Sequence, residues 1–176
     1  MTAVQANLKK SSRYKFSKIK NLYQFEPIIS FNQNNIIFFD NKGSILKFSK
    51  QSSLIWKKNY YSKKERKKNP FLYFANNSET LIVADSNAKY YALNLINGNL
   101  LWMKNHIAPF NSEIKIYKDK FFVVDFENTL RCFSILDGKE LWKFKTTKFT
   151  IKSQKKSSVI VVDNKVIFSN SIGDIT

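Results

Sequence analysis

The chain has 176 residues, 43% of them hydrophobic, with 30 basic against 13 acidic residues and a formal charge of +17. That is apolar material for one ordinary domain with a sizeable core. A composition with 16 Phe and 8 Tyr but only four Gly and three Pro suits strands better than disorder. The longest apolar runs fall far short of the ~20 residues that span a bilayer. The single cysteine, Cys132, excludes an internal disulfide and a thiolate metal cluster; at an alternating strand position it reads as a small buried hydrophobe.

In chain order, residues 1–13 (MTAVQANLKKSSR) lack the apolar core of a secretory signal and are expected to be disordered or foreign to the fold. Residues 14–26 are read as the end of a preceding unit and a linker. A first unit occupies 27–58: strands at Pro27–Phe31 and Ile36–Asp40, a turn at Gly43, a strand from Ser44 to Ser49, and a closing run Leu54-Ile55-Trp56. A basic loop, 59–69, carries Lys63-Lys64-Glu65-Arg66-Lys67-Lys68. The second unit, 70–105, places strands at Phe71–Ala75, Thr80–Asp85, Ala88–Asn94 and Asn99–Asn105. The third, 106–145, places them at Ser112–Tyr117, Lys120–Asp125, Thr129–Ser134 and Lys139–Lys145. Residues 146–176 read as a loop and an incomplete unit, with strands at Ser157–Val162 and Lys165–Asn170 and a third beginning at Gly173-Asp174-Ile175.

The units are copies of one another. DFENTLRCFSILDGKELW (Asp125–Trp142) alternates through Leu130, Cys132 and Ser134 and turns at Asp137-Gly138, the signature of a β-hairpin. DSNAKYYALNLINGNLLW (Asp85–Trp102) repeats it with Asn97-Gly98 in the turn, and Asp40 to Trp56 is a worn third copy. Trp56, Trp102 and Trp142 are 46 and 40 positions apart, and Asp40, Asp85 and Asp125 are 45 and 40 apart. Four strands in ~40–45 residues is the period of a β-propeller blade. The fold class is therefore all-β: a partial propeller of four-stranded antiparallel blades, holding about three and a half of the four to eight blades of closed propellers. It is expected to be a fragment of a larger propeller, or to close by oligomerisation. The structural repeat residues are Asp40, Asp85 and Asp125 at strand ends, Gly98 and Gly138 in turns, and Trp56, Trp102 and Trp142 packing between blades.

No chemistry-bearing motif accompanies the repeat. Asp137, Asp163 and Asp174 occupy turn positions, where Asp bonds its own backbone. His106 stands in a connection without a motif around it, and four scattered glycines supply neither a Walker loop nor a dinucleotide fingerprint. Catalytic, cofactor-binding and metal-ligating residues are expected to be none. The positive charge admits two readings. One is a phosphate-rich partner, nucleic acid or anionic lipid; the other is the Lys, Asn, Ile and Phe bias of an AT-rich genome, and the dominance of Lys over Arg argues against base recognition.

The pattern Tyr91-Ala92-Leu93-Asn94 through Gly98 to Leu101-Trp102, repeated as LRCFSILDGKELW at Leu130–Trp142, resembles the PQQ-like (quinoprotein-type) propeller repeat. Within that superfamily, APFNSEIKIYKDKFFVVD (Ala108–Asp125) and KSSVIVVDNKVIFSNSIGDI (Lys156–Ile175) resemble the BamB family of outer-membrane protein assembly factors, in the style of AT-rich alphaproteobacteria. The resemblance implies an eight-bladed, non-catalytic lipoprotein scaffold at the periplasmic face of the outer membrane, with the barrel-assembly protein BamA as partner and unfolded outer-membrane proteins as candidate further partners. It implies a partner-contacting loop with an apolar-x-apolar-basic motif, here Phe149, Ile151 and Lys152. The alternatives are a fragment of a PQQ-dependent quinoprotein dehydrogenase, which needs calcium ligands, and a polyanion-binding propeller.

Overall fold

The structure, a computed structural model, describes residues 30–32, 35–40, 42–146, 156–170 and 172–176. Three four-stranded antiparallel meanders follow one another. The first comprises β1 (Ser30–Asn32), β2 (Asn35–Phe39), β3 (Ser44–Phe48) and β4 (Leu54–Asn59). After one helical turn, α1 (Lys63–Arg66), come β5 (Leu72–Asn76), β6 (Thr80–Asp85), β7 (Lys89–Asn94) and β8 (Leu100–Asn105), then β9 (Lys115–Tyr117), β10 (Lys120–Val124), β11 (Thr129–Ser134) and β12 (Glu140–Lys145). A hairpin of β13 (Ser158–Val162) and β14 (Lys165–Ser169) opens a fourth sheet. Its third strand starts at the Ser169–Ile175 bridge, where Phe168 and Thr176 exchange backbone hydrogen bonds. The first strands of successive sheets, β1, β5, β9 and β13, lie beside one another. The molecule is thus an all-β partial propeller.

The core is divided among the blade–blade interfaces. Along β6, Leu81 and Val83 enter the cluster shared with the first blade, while Ile82 and Ala84 enter the cluster shared with the third. On β7, Tyr91 and Leu93 face the first blade and Tyr90 and Ala92 the third; on β10, Phe121 and Val123 face back while Phe122 and Val124 face the fourth blade. Successive strand side chains point to opposite faces, so a blade covered on both faces needs apolar residues at every position. This is why TLIVAD and FFVV read as continuous runs rather than alternations.

At the outer strands each tryptophan reaches forward to the next blade. The Trp56 indole lies against Gly98 and its Nε1 donates to the Leu95 carbonyl at 3.3 Å; Trp102 lies against Gly138, with Nε1 donating to the Ile135 carbonyl at 2.8 Å. Both glycines have left-handed backbones, φ +71° and +66°, and a Cβ added at Gly138 would stand 2.5 Å from the Trp102 ring. Each β3–β4-type pair shifts register one step from the tryptophan's partner, at Lys47/Phe48, Ala92/Leu93 and Cys132/Phe133. Such a bulge re-aims the side chain beside it. Trp142 has no such turn over it among the described residues; it is 41% exposed and touches Phe122 of its own blade.

Two differences from the sequence reading have local causes. The inner strand of the third blade begins at Lys115, because Ser112 Oγ takes the Val124 amide at 2.7 Å in place of a ladder bond and the Ser112 backbone bridges to Ser157 of the fourth blade. The basic stretch contains α1, because Ser62 and Glu65 form a reciprocal capping box.

Gly138→Ala is expected to destabilise the chain by roughly 3 kcal/mol or more, from about 1–2 kcal/mol of left-handed strain plus displacement of the Trp102 ring. Gly173→Ala, where a Cβ meets nothing within 4 Å, is expected to cost only the strain. Urea denaturation of the two variants checks the difference.

Candidate functional site: the turn rim and its buried polar clusters

The repeated acids perform one structural task. Asp40 Oδ1 accepts from the amides of Lys42 (2.9 Å) and Ser44 (2.8 Å); Asp85 Oδ1 from Asn87 and Lys89, both 2.8 Å; Asp125 Oδ1 from Glu127 (2.8 Å) and Thr129 (3.1 Å). Asn170 Oδ1 accepts from Ile172 (3.1 Å) and Asp174 (3.0 Å) in the fourth blade. One acceptor oxygen suffices to close the turn, so Asn serves where Asp is expected.

The second oxygen is where the blades differ. Asp40 Oδ2 has Lys57 at 4.0 Å, and Asp85 Oδ2 accepts from the Tyr61 hydroxyl at 2.6 Å. Burial pushes the Asp85 carboxyl above its ordinary range, offset in part by that hydrogen bond. Asp125 Oδ2 accepts from Arg131 Nε at 2.6 Å, and Arg131 Nη1 bonds Glu140 Oε2 at 2.6 Å. His106 lies over this cluster, Nε2 3.9 Å from Glu140 Oε2, its ring 5.3 Å from Phe110. Its Nδ1 is 3.1 Å from both the amide nitrogen and the carbonyl oxygen of Ala108. Burial lowers its pKa.

Between the first and second blades, Lys89 Nζ bridges Glu65, stands 4.7 Å over the Tyr61 ring and lies 3.4 Å from the Tyr60 carbonyl. Lys47, buried beside Trp56, donates to the Leu95 carbonyl at 2.8 Å, and desolvation lowers its pKa. Lys47 and Lys89 thus tie the first two blades together, whereas the Asp125–Arg131–Glu140 cluster ties strands within the third. Burial pushes the Cys132 thiol up to about 11, which makes it a poor nucleophile at neutral pH. Among the described residues there is no group of three or more His, Cys, Asp or Glu able to hold a metal ion. Asp137, Asp163 and Asp174 stand exposed at turns on separate elements.

An open groove of about 460 Å³ runs between Phe144-Lys145-Thr146 and Asp174-Ile175-Thr176. Its one acidic side chain, Asp174, accepts from Asn170 Nδ2 at 3.0 Å, and Lys145, Thr146 and Thr176 alternate with Phe144 and Ile175 in a lining without converging reactive side chains. Phe149, Ile151 and Lys152 lie outside the described residues. The interior ion pairs escaped the sequence reading. Only α1 left a signal there, the Ser62-x-x-Glu65 spacing of a capping box.

Blades stacked through indole-on-glycine contacts and closed by Asx turns define a propeller of the PQQ-like repeat class. A family model described as outer membrane protein assembly factor BamB matches residues 36–176, and the chain belongs to that family. No curated protein matches it. Among solved structures it is similar to the computationally designed Ika4 protein, with TM-score 0.71, 12% identity and coverage of 96% of each chain. The computationally designed Ika8 protein gives 0.66 at 13% identity, covering 84% of this chain and 43% of that one. BamB from Moraxella catarrhalis gives 0.68 at 16% identity, covering 87% of this chain and 47% of that one. The chain therefore spans about half the length of that BamB. At these identities the likeness is one of fold.

The Glu65–Lys89 bridge carries a pH dependence. Lys89 holds the Glu65 carboxyl down at about 2 against 4.5 unperturbed. A depressed carboxyl stabilises the fold above its unfolded pKa, and that contribution is lost as pH falls from about 4.5 to about 2. Glu65→Gln is expected to remove this component, so the difference in stability between the two proteins shrinks on acidification across that window. Thermal melts over the same pH range measure it.

Proposed function

We propose that the chain is part of a non-catalytic propeller scaffold of the outer-membrane β-barrel assembly machinery, held at the periplasmic face of the outer membrane by a lipid anchor. It binds BamA and presents blade edges to unfolded outer-membrane proteins, which add as strands. The observation that carries this reading is the family match over residues 36–176. The fate of the polar residues supports it: the repeat carboxylates close turns or bridge blades, and none converges with others on an open site.

The quinoprotein dehydrogenase alternative finds less support. It requires several oxygen ligands around one calcium ion beside the quinone, whereas Asp40, Asp85 and Asp125 belong to three separate blades and each is occupied by its own turn. These residues do not fit that cofactor set.

The partner contact is proposed at Phe149, Ile151 and Lys152, in the connection between the third and fourth blades, where two apolar side chains and a cation follow the family's apolar-x-apolar-basic pattern. In the intact protein, Ile151→Asp and Lys152→Glu are each expected to reduce capture of BamA at least tenfold in co-purification. Undiminished capture by both variants contradicts the placement of the contact.

A further inference from the structure

The basic stretch after the first blade is a built feature of the fold. Ser62 Oγ accepts from the Glu65 amide at 3.3 Å and Glu65 Oε2 accepts from the Ser62 amide at 2.7 Å, which fixes α1 on the rim. Glu65 is the one acid in the run, and its carboxylate also bridges inward to Lys89, whose side chain is only 9% exposed. The fold thus uses the run's only negative charge internally. Lys63, Lys64, Arg66, Lys67 and Lys68 are all exposed, and none of them pairs with a carboxylate among the described residues.

Strand direction alternates through each meander, so α1 shares its rim with the turns β2–β3, β6–β7 and β10–β11. Exposed Lys42 stands in the first of these turns. Of the exposed acids described on this rim, Glu113 bonds Lys115 at 2.7 Å and Glu127 lies 4.0 Å from Lys145, while Asp174, which accepts from the neutral amide of Asn170, stands in the fourth blade. The sector around α1 therefore carries an uncompensated cluster of five cations within six residues of sequence.

We propose that this rim is a docking surface for the phosphate headgroups of an anionic phospholipid membrane. Four to eight clustered basic side chains are the usual requirement for such attachment, and four of the five here are lysines, hydrated point charges that suit phosphate without reading geometry. Nucleic acid is disfavoured by the same residues. A four-residue helix is too short to lie along a groove as a recognition helix, and residues 62–69 contain no aromatic side chain on which a base stacks. The inference rests on this geometry and is independent of the BamA contact.

The test is sedimentation of the full chain with vesicles of equal parts phosphatidylglycerol and phosphatidylcholine, beside vesicles of phosphatidylcholine alone. Binding is expected to the mixed vesicles only and to fall steeply with salt. At about fivefold per lysine, the combined Lys64→Gln, Lys67→Gln and Lys68→Gln variant is expected to bind roughly 100-fold more weakly. The combined Lys50→Gln, Lys139→Gln and Lys165→Gln variant removes the same charge from turns on the opposite rim and is expected to bind as the parent does. Three results overturn the proposal: absence of binding to the mixed vesicles, equal loss from both variants, or tighter attachment to duplex DNA that the first variant abolishes.

Discussion

An indole lying on a glycine of the next blade is the contact on which this architecture depends. Trp56 on Gly98 and Trp102 on Gly138 join the outer strand of one sheet to the last turn of the next, and in each case the indole nitrogen is anchored to a carbonyl in that turn. A side chain at the glycine position collides with the ring, and the left-handed backbone there suits glycine independently. The register shift beside each tryptophan recurs in all three complete blades. Aiming, anchoring and docking are therefore parts of one repeated device, and the apolar clusters it covers belong to pairs of blades.

This division of the core explains the fate of the polar residues. On a blade covered on both faces a polar side chain is costly unless it is satisfied. Asp85 with Tyr61, Arg131 with Asp125 and Glu140, and Lys47 with the Leu95 carbonyl meet that condition across or along the interfaces, whereas the Tyr91 hydroxyl and Ser157 Oγ are buried without a partner among the described residues. What remains free for recognition is the surface: outer strand edges, connecting loops and the charged rim. A scaffold in the BamB family is the function that such a distribution suits.

Much of this was legible in the sequence. The Asp-to-Asp and Trp-to-Trp separations of successive copies carry the blade period, and Asp-Gly and Asn-Gly mark the turns that receive the tryptophans. β6 and β10 are legible as short continuous apolar runs bounded by turns, since sandwiching between two neighbours removes the alternation that identifies a strand with one wet face. The onset of β9 was obscured by Ser112, whose side chain imitates a ladder bond. The ion pairs were invisible for a different reason. Glu65 meets Lys89 and Arg131 meets Glu140 only once the sheets have formed, and a charged residue in a strand carries no label of its partner. Lys63 to Lys68 read as one charged run, whereas in the fold its single acid is engaged by Lys89 and the Ser62 amide while its five cations stay exposed.

The central claim, that the indole and the facing glycine act as one unit across the blade interface, is tested most directly by a double-mutant cycle on Trp102 and Gly138. Stabilities of the parent, Trp102→Ala, Gly138→Ala and the double variant are measured by urea denaturation. If the added Cβ acts chiefly by displacing the ring, removing the ring relieves most of that effect, and a coupling of about 1 kcal/mol or more is expected. Additivity of the two single changes within about 0.5 kcal/mol contradicts the account.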